Sequence, residues 1–231
     1  MNDKLIRSLR ENYQISFKDS ELLEQAFTHS SYVNEHRHLK QRDNERLEFL
    51  GDAALELVVS EFLYMWYSDL PEGKLTKIRA TIVREDSLAK FAKECGFDQY
   101  VLLGKGEENS NGRNRPSLLC DLFEAFLGSL YLDQGLEAVS RFLSIIILPK
   151  IKAGVFLHEM DHKTTLQEIL QKNGDVDIHY ELIKEEGPAH NREFFVTVSV
   201  GEHVIGEGSG KSKKMAEQKA AHQAILGLEK K

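Results

Sequence analysis

The segment from residue 44 to residue 67 restricts the fold more than any other part of the chain, because one pattern carries both an apolar face and a row of acids. Its apolar residues, beginning with Leu47, recur at the spacing of an α-helix. Glu45, Glu48 and Asp52 stand at i, i+3 and i+7, which places three carboxylates within an arc of about 60°. A solvated acidic face fits this pattern. A platform for a divalent cation fits it too, because such cations take oxygen ligands.

Two residues of this segment do not suit a solvated helix. Gly51 stands in its middle, where glycine costs about 1 kcal/mol relative to alanine. That cost is understandable if another backbone passes close by. Phe49 stands between Glu48 and Asp52 on the acidic side. A large aromatic residue there favours a face that is covered, as by a partner subunit.

A second apolar helix, predicted from Leu118 to Leu132, carries Asp121 and Glu124 on one face and Gly128 one turn further on. If the two helices cross near their glycines, two acid pairs converge. These acids are Glu48, Asp52, Asp121 and Glu124. Like charges repel strongly unless cations lie among them. Mg²⁺ binds through a few carboxylates plus substrate phosphate, and such a site supports hydrolysis of a phosphodiester by an activated water.

Other polar residues of this half are less informative. His29 is interpreted as a hydrogen-bonding structural histidine, with a ligand or base as the alternative. The Gly- and Asn-rich stretch 104–116 predicts a mobile loop. Glu56 is an extra acid one turn beyond Asp52, and no role is assigned to it.

The periodicity changes along the chain and predicts two domains. Residues 1–152 read as helices throughout, residues 153–160 as a linker, and residues 161–231 as a different unit. In that unit a helix precedes three segments with the alternation of strands. A last helix follows, with a stripe of small residues facing the sheet. The predicted fold is an all-α N-terminal domain plus a small α+β domain of order α-β-β-β-α.

The polar residues of the second unit indicate contact with phosphates. Thr164, Gln167 and Gln171 share the outer face of its first helix. Lysines gather at the start of its last helix, namely Lys211, Lys213 and Lys214. Lysine there adds to the partial positive charge of a helix N-terminus, which suits phosphate. A solvated helix start explains the lysines equally well.

Composition and charge exclude several classes. The net charge of −7 argues against a general coat of positive charge, so nucleic-acid contact must come from local clusters. The longest apolar run, Phe142 to Leu148, is too short to cross a bilayer, and the N-terminus lacks a signal core. Cys95 and Cys120 have no metal-ligand spacing. We therefore expect a cytoplasmic protein that has no membrane contact.

Residues 44–53, NERLEFLGDA, resemble the signature of the ribonuclease III family. Residues 121–128 are similar to its second acidic motif, and 26–29 and 71–73 match weaker segments. The loop 187–190 and the stretch after residue 206 resemble the double-stranded RNA-binding domain. The resemblance spans nearly the whole chain in the order usual for bacteria.

The resemblance implies a Mg²⁺-dependent endonuclease of double-stranded RNA, with Mn²⁺ able to substitute and no small-molecule cofactor. Glu48, Asp52, Asp121 and Glu124 would hold the metal, and Asp52 and Glu124 would be catalytic. Glu45 matches an acid of lesser role near the cleft. A second such acid is Glu72.

The resemblance also implies a homodimer in which Phe49 inserts into the partner subunit. Each subunit would cut one strand, giving 5′-phosphate and 3′-hydroxyl ends with two-nucleotide 3′ overhangs. Precursors of ribosomal RNA, and messenger and transfer RNAs, are the expected substrates.

In the second domain, the resemblance implies contact with two minor grooves and the phosphates between them. The implied RNA-binding residues are Thr164, Gln167, Gln171, His190, Lys211, Lys213 and Lys214. A non-catalytic RNA-binding protein whose helical domain only dimerises is the alternative. The complete set of four acids favours the enzyme.

Overall fold

The computed structural model describes residues 3–156, 162–172, 176–188 and 192–228. The chain divides into two compact units, residues 1–158 and residues 159–231. The helices of the first unit are α1 (Asp3–Tyr13), α2 (Ser20–Ala26), α3 (Ser30–Glu35), α4 (Glu45–Trp66), α5 (Glu72–Val83), α6 (Glu85–Glu94), α7 (Lys105–Asn109), α8 (Pro116–Gln134), α9 (Leu136–Ile146) and α10 (Leu148–Lys152). Short 3₁₀ turns occur at Arg37–Leu39, Phe97–Gln99 and Gly112–Asn114.

Helix α8 lies at the centre of the first unit because it is apolar on nearly every side. Phe123 and Phe126 on it are fully buried. Their rings lie against those of Phe97 and Phe142, with ring centroids 4.7–6.4 Å apart. The helix ends at Gly135, whose φ of 80° lies in the region that favours glycine. Residues 118–130 of α8 are therefore all buried or half-buried.

Helices α4 and α8 cross backbone to backbone at two glycines. A Cβ on Gly51 would overlap the carbonyl oxygen of Glu124 and lie 2.8 Å from the backbone nitrogen of Gly128. A Cβ on Gly128 would overlap the carbonyl oxygen of Leu47. The crossing that the sequence predicts at these glycines is therefore confirmed. It sets the acid-bearing turns of the two helices side by side.

The second unit has the predicted order of one helix, three strands and another helix. Its elements are α11 (His162–Gln171), β1 (Ile178–Glu186), β2 (Glu193–Val200), β3 (His203–Gly210) and α12 (Lys213–Leu228). The strands form one antiparallel sheet in the order β1-β2-β3. The all-α plus α-β-β-β-α fold class is thus confirmed.

A row of alanines on α12 packs onto glycines of β3. Ala216, Ala220 and Ala224 are at most 1% exposed. A Cβ on Gly206 or Gly208 would overlap the backbone of α12. The small residues let the helix lie directly on the strand, as the predicted stripe requires, and this fixes where α12 begins.

The crossing at Gly51 gives a direct test. Gly51→Ala should lower the free energy of unfolding by about 1–3 kcal/mol or more, because the added methyl group forces the two backbones apart. Gly73→Ala in α5 is the matched control, since nothing lies within 4 Å of its Cβ position. That control should be neutral or stabilise by up to about 1 kcal/mol. Urea unfolding followed by circular dichroism measures both, and an equal loss in the two variants would contradict the crossing.

Candidate metal centre and RNA-binding face

The first turn of α4 is fixed by a buried asparagine. Asn44 is 4% exposed, and its Nδ2 donates a hydrogen bond of 3.3 Å to the carbonyl oxygen of Ala26. Its own carbonyl accepts the N–H of Glu48 at 2.9 Å. The turn that carries Glu48 is thereby attached to α2, and Asp52 follows one turn later on the same helix. Glu48 is half-buried and Asp52 is exposed.

The α8 acids lie deeper than those of α4. Glu124 is 9% exposed, because the crossing at Gly51 occurs at its own carbonyl group. Asp121, almost one turn earlier, is half-buried. Glu124 is therefore the most buried of the four acids.

The pKa shifts show that the four acids share one electrostatic site. Burial raises the pKa of Glu124 to about 8, and the charges of Asp52, Glu48 and Asp121 add to that rise. Burial also raises the pKa of Glu48, with further contributions from Asp121, Glu45 and Asp52. A carboxyl group that is hard to ionise among other carboxylates marks a candidate functional site. The structure thus brings together the four acids that the sequence singled out.

Cys120 belongs to the same cluster, although its lack of a metal-ligand motif excluded it from the sequence prediction. Donor atoms of Cys120, Asp121 and Glu124 all lie within 4.8 Å of one another. Cys120 and Glu124 are four residues apart, a spacing that faces two helical side chains toward each other. That spacing is the signal that could have found it.

His29 has the hydrogen-bonding structural role that the sequence favours. It caps α3, where its Nδ1 accepts the N–H of Ser31 at 3.2 Å and lies 2.8 Å from the Ser31 hydroxyl. His29 also lies near Asp121. The pKa of Asp121 is raised by burial, and His29 and Arg115 oppose that rise.

The stretch predicted as a loop forms α7 and a 3₁₀ turn instead, and side chains tie it to itself and to α3. Arg113 pairs with Glu108 at 2.6 Å, and Arg115 pairs with a Glu107 oxygen at 2.7 Å. The carboxylate of Glu35 accepts the N–H of Lys105 at 2.9 Å. These pairs join residues across the loop, so composition alone did not reveal them.

The two acids of lesser role lie in different places. Glu45 is exposed at the start of α4 and contributes to the raised pKa of Glu48. Glu72 begins α5, accepts the Thr76 hydroxyl at 2.8 Å, and lines a groove beside the distal half of α4. Within this one chain, Glu45 therefore lies near the four-acid cluster, whereas Glu72 lies apart from it. Glu56 is exposed on α4, and we assign it no role.

The outer face of α4 carries apolar side chains. Phe49 is 81% exposed, Leu57 is 56% exposed and Tyr64 is 72% exposed. They fall within an arc of about 80° on one side of the helix. Around Phe49 lies a groove of about 900 Å³, to which the exposed Leu132 contributes. An exposed apolar stripe of this kind marks a contact surface.

In the second unit, the described members of the predicted RNA-binding set lie on α11 and at the start of α12. Gln167 and Gln171 are exposed on α11, and Thr164 on the same helix is half-buried. The three lysines are exposed at the start of α12, where the Ser212 hydroxyl caps the helix by accepting the N–H of Met215 at 3.2 Å. The lysines are Lys211, Lys213 and Lys214. His190 lies outside the described residues.

A helical domain in which two acid-bearing helices cross, joined to an α-β-β-β-α domain, fits the class of double-strand-specific endoribonucleases that require a divalent metal. The ribonuclease-III-like family profile matches residues 19–151, and the double-stranded RNA binding motif matches residues 162–228. Ribonuclease 3 of Enterococcus faecalis is 68% identical over 228 residues, 99% of both chains. Ribonuclease 3 of Latilactobacillus sakei is 56% identical over the same length and coverage. The chain belongs to the ribonuclease III family.

Solved structures agree with the helical domain. A nuclease domain of ribonuclease III from Campylobacter jejuni is 41% identical, with a TM-score of 0.56, and covers 61% of this chain and 95% of its own. That structure is described as flexible in a region involved in dimer formation. In the described part of the chain, no helix is both long and apolar enough to span a membrane.

The raised pKa of Glu124 predicts a pH-dependent stability. Between its ordinary value of 4.5 and about 8, the folded protein binds a proton here that the unfolded chain does not. The free energy of unfolding in EDTA should therefore fall as pH rises through this window. Mg²⁺ should offset the loss, most strongly near pH 8, because it replaces the proton.

Thermal unfolding at several pH values, with EDTA or Mg²⁺, measures this effect. Glu124→Gln is the control, because it keeps the shape of the side chain and removes its ionisation. The contribution from this residue should vanish in that variant. If the stability of Glu124→Gln depended on pH as steeply as that of the unchanged protein, Glu124 would not be the source of the pH dependence.

Proposed function

We propose that Glu48, Asp52, Asp121 and Glu124 hold Mg²⁺, for which Mn²⁺ can substitute, and that Asp52 and Glu124 act directly in hydrolysis. The observation that carries the proposal is the Glu124 carboxyl group, 9% exposed, with its pKa raised to about 8 by burial and by three acids. An all-oxygen set of carboxylates suits a hard cation that keeps several waters. The residues present therefore fit the metal that the family requires.

When bound, the metal would supply a Lewis acid that lowers the pKa of a water and neutralises phosphoryl charge. The chain supplies the positioning. The backbone of buried Glu124 is held by its close contact with Gly51, while exposed Asp52 can face the substrate. Attack by water, rather than by the ribose 2′-hydroxyl, leaves 5′-phosphate and 3′-hydroxyl ends.

For RNA binding we propose two contact sets in the second unit. Thr164, Gln167 and Gln171 would face one minor groove, and the loop with His190 would enter the next. The three lysines would follow the phosphates between these grooves, where the helix N-terminus adds partial positive charge. The lysines are Lys211, Lys213 and Lys214. Such a surface reads A-form shape and 2′-hydroxyls rather than sequence.

We also propose a homodimer through the outer face of α4. Phe49, 81% exposed, would insert into the partner subunit, and burial of the apolar stripe would supply the driving force. Glu45 and Glu72 would line the cleft so formed. Two centres, each cutting one strand, would leave staggered ends with two-nucleotide 3′ overhangs.

The domain limits we propose are 1–152 for the catalytic and dimerisation domain, 153–160 for the linker and 161–231 for the RNA-binding domain. Processing of ribosomal, messenger and transfer RNA precursors in the cytoplasm is the proposed cellular role. The two buried free cysteines suit a reducing compartment.

Cleavage of a long RNA duplex tests the metal centre. Glu124→Ala should reduce Mg²⁺-dependent cleavage by more than about a hundredfold, because metal-assisted stabilisation amounts to several kcal/mol. Duplex binding in a gel-shift assay should persist, since no basic residue is removed. Glu137→Ala is the control, because its side chain is 94% exposed on α9. EDTA should abolish cleavage by the unchanged protein.

Normal turnover of Glu124→Ala would contradict the metal assignment. Binding without cleavage by the unchanged protein, in Mg²⁺ and in Mn²⁺, would instead identify a non-catalytic RNA-binding protein.

Sedimentation tests the dimer. Phe49→Asp should shift the protein toward monomer, because a carboxylate would be buried unpaired in the contact. Met65→Asp is a matched control on the same helix, since Met65 is 75% exposed but lies about 160° around the axis from Phe49. The control should sediment as the unchanged protein does. A stable dimer of Phe49→Asp would exclude the proposed interface.

A further inference from the structure

A thiol lies beside the buried carboxylate of the metal centre. Cys120 is 8% exposed, and its side chain hydrogen-bonds to Glu124. Its Sγ lies within 4.8 Å of a carboxylate oxygen of Glu124 and of one of Asp121. The proposed function assigns a role to both carboxylates but none to the Cys120 thiol.

The three donors differ in chemistry from the oxygen set of the proposed magnesium centre. Mg²⁺ takes oxygen ligands and does not select sulfur. Zn²⁺ and its heavier congeners bind thiolate together with carboxylate, with a zinc–sulfur bond of about 2.3 Å and zinc–oxygen bonds of about 2.0–2.2 Å. Tetrahedral bonds of these lengths separate the ligand atoms by about 3.5 Å. The donor atoms of Cys120, Asp121 and Glu124 lie within 4.8 Å of one another and could hold one metal ion.

We propose that Cys120, Asp121 and Glu124 form a site for thiophilic divalent cations, Zn²⁺ above all, that overlaps the magnesium centre and inhibits the enzyme when filled. On binding, the S–H bond of Cys120 breaks, a sulfur–metal bond forms, and the proton passes to solvent. Zn²⁺ bound by Asp121 and Glu124 would draw these two carboxylates away from Mg²⁺, and this competition is the basis of the inhibition. The inhibitory part of the inference rests on the metal assignment under the proposed function, whereas the binding part does not.

The other cysteine supplies a matched control. Cys95 is also buried and free, but its neighbour is the Tyr13 hydroxyl rather than the acid cluster. Substitution of either cysteine by serine keeps the size of the side chain and removes the sulfur. Only the substitution of Cys120 should weaken the binding of a thiophilic cation.

Cadmium is the probe, because a cadmium–thiolate bond has an ultraviolet charge-transfer absorption. The full chain, without Mg²⁺, is titrated with Cd²⁺ by absorbance and by calorimetry. The unchanged protein and Cys95→Ser should develop the band with one equivalent of Cd²⁺. Cys120→Ser should lose the band and bind Cd²⁺ about tenfold or more weakly. Cys120→Ala serves as a second variant if the serine form does not fold.

A band that persists without the Cys120 sulfur would overturn the proposal. So would Cd²⁺ binding by the unchanged protein without a band, or no Cd²⁺ binding at all. Zn²⁺ inhibition of cleavage is then measured as a fraction of the Mg²⁺-supported rate of each form. Inhibition of Cys120→Ser should require about tenfold more Zn²⁺ or more, and equal sensitivity would overturn the inhibitory role. Full activity of Glu124→Ala would count against the proposed function instead, whatever the cadmium band shows.

Discussion

The close crossing of α4 and α8 is the constraint on which the site depends. Neither Gly51 nor Gly128 has room for a Cβ, so the two backbones touch at the turns that carry the acids. Those turns cannot separate without opening the core, because Leu55 and Leu127 beside the crossing are fully buried. The acids are therefore held together by packing energy and not by attraction for one another.

This arrangement stores electrostatic repulsion that another species must relieve. Carboxylates of Glu48, Asp52 and Asp121 all raise the pKa of Glu124, so the ionised cluster is unfavourable in isolation. A proton on Glu124 relieves the repulsion below about pH 8, and a divalent cation would relieve it by replacing that proton. The metal affinity that we propose for this cluster would thus be a consequence of the helix packing.

Features that depend on spacing along one helix or strand could be predicted from the sequence. Features that depend on contacts between separate elements could not. Acids and glycines at helical spacing, and the alanine stripe that ends with Ala224, are periodic features, so the crossing and the α-β-β-β-α order followed from them. The position of Glu72 depends on how α5 returns along α4, which no local pattern encodes. The ion pairs of α7 were missed for a related reason, since Arg113 and Arg115 select partners across a turn. Cys120 was missed because a motif was sought where helical spacing was the relevant signal.

The position of Glu72 becomes intelligible in the proposed dimer. Helix α4, with 22 residues, is about 33 Å long, and its exposed stripe runs from Phe49 near the acids to Tyr64 beside the groove that contains Glu72. An isologous contact places the same patch on both subunits about a twofold axis. An axis that crosses the middle of the stripe, near Leu57, would set the two copies of α4 antiparallel. The Glu72 end of each helix would then lie toward the acidic end of the other, so one cleft would draw acids from both subunits.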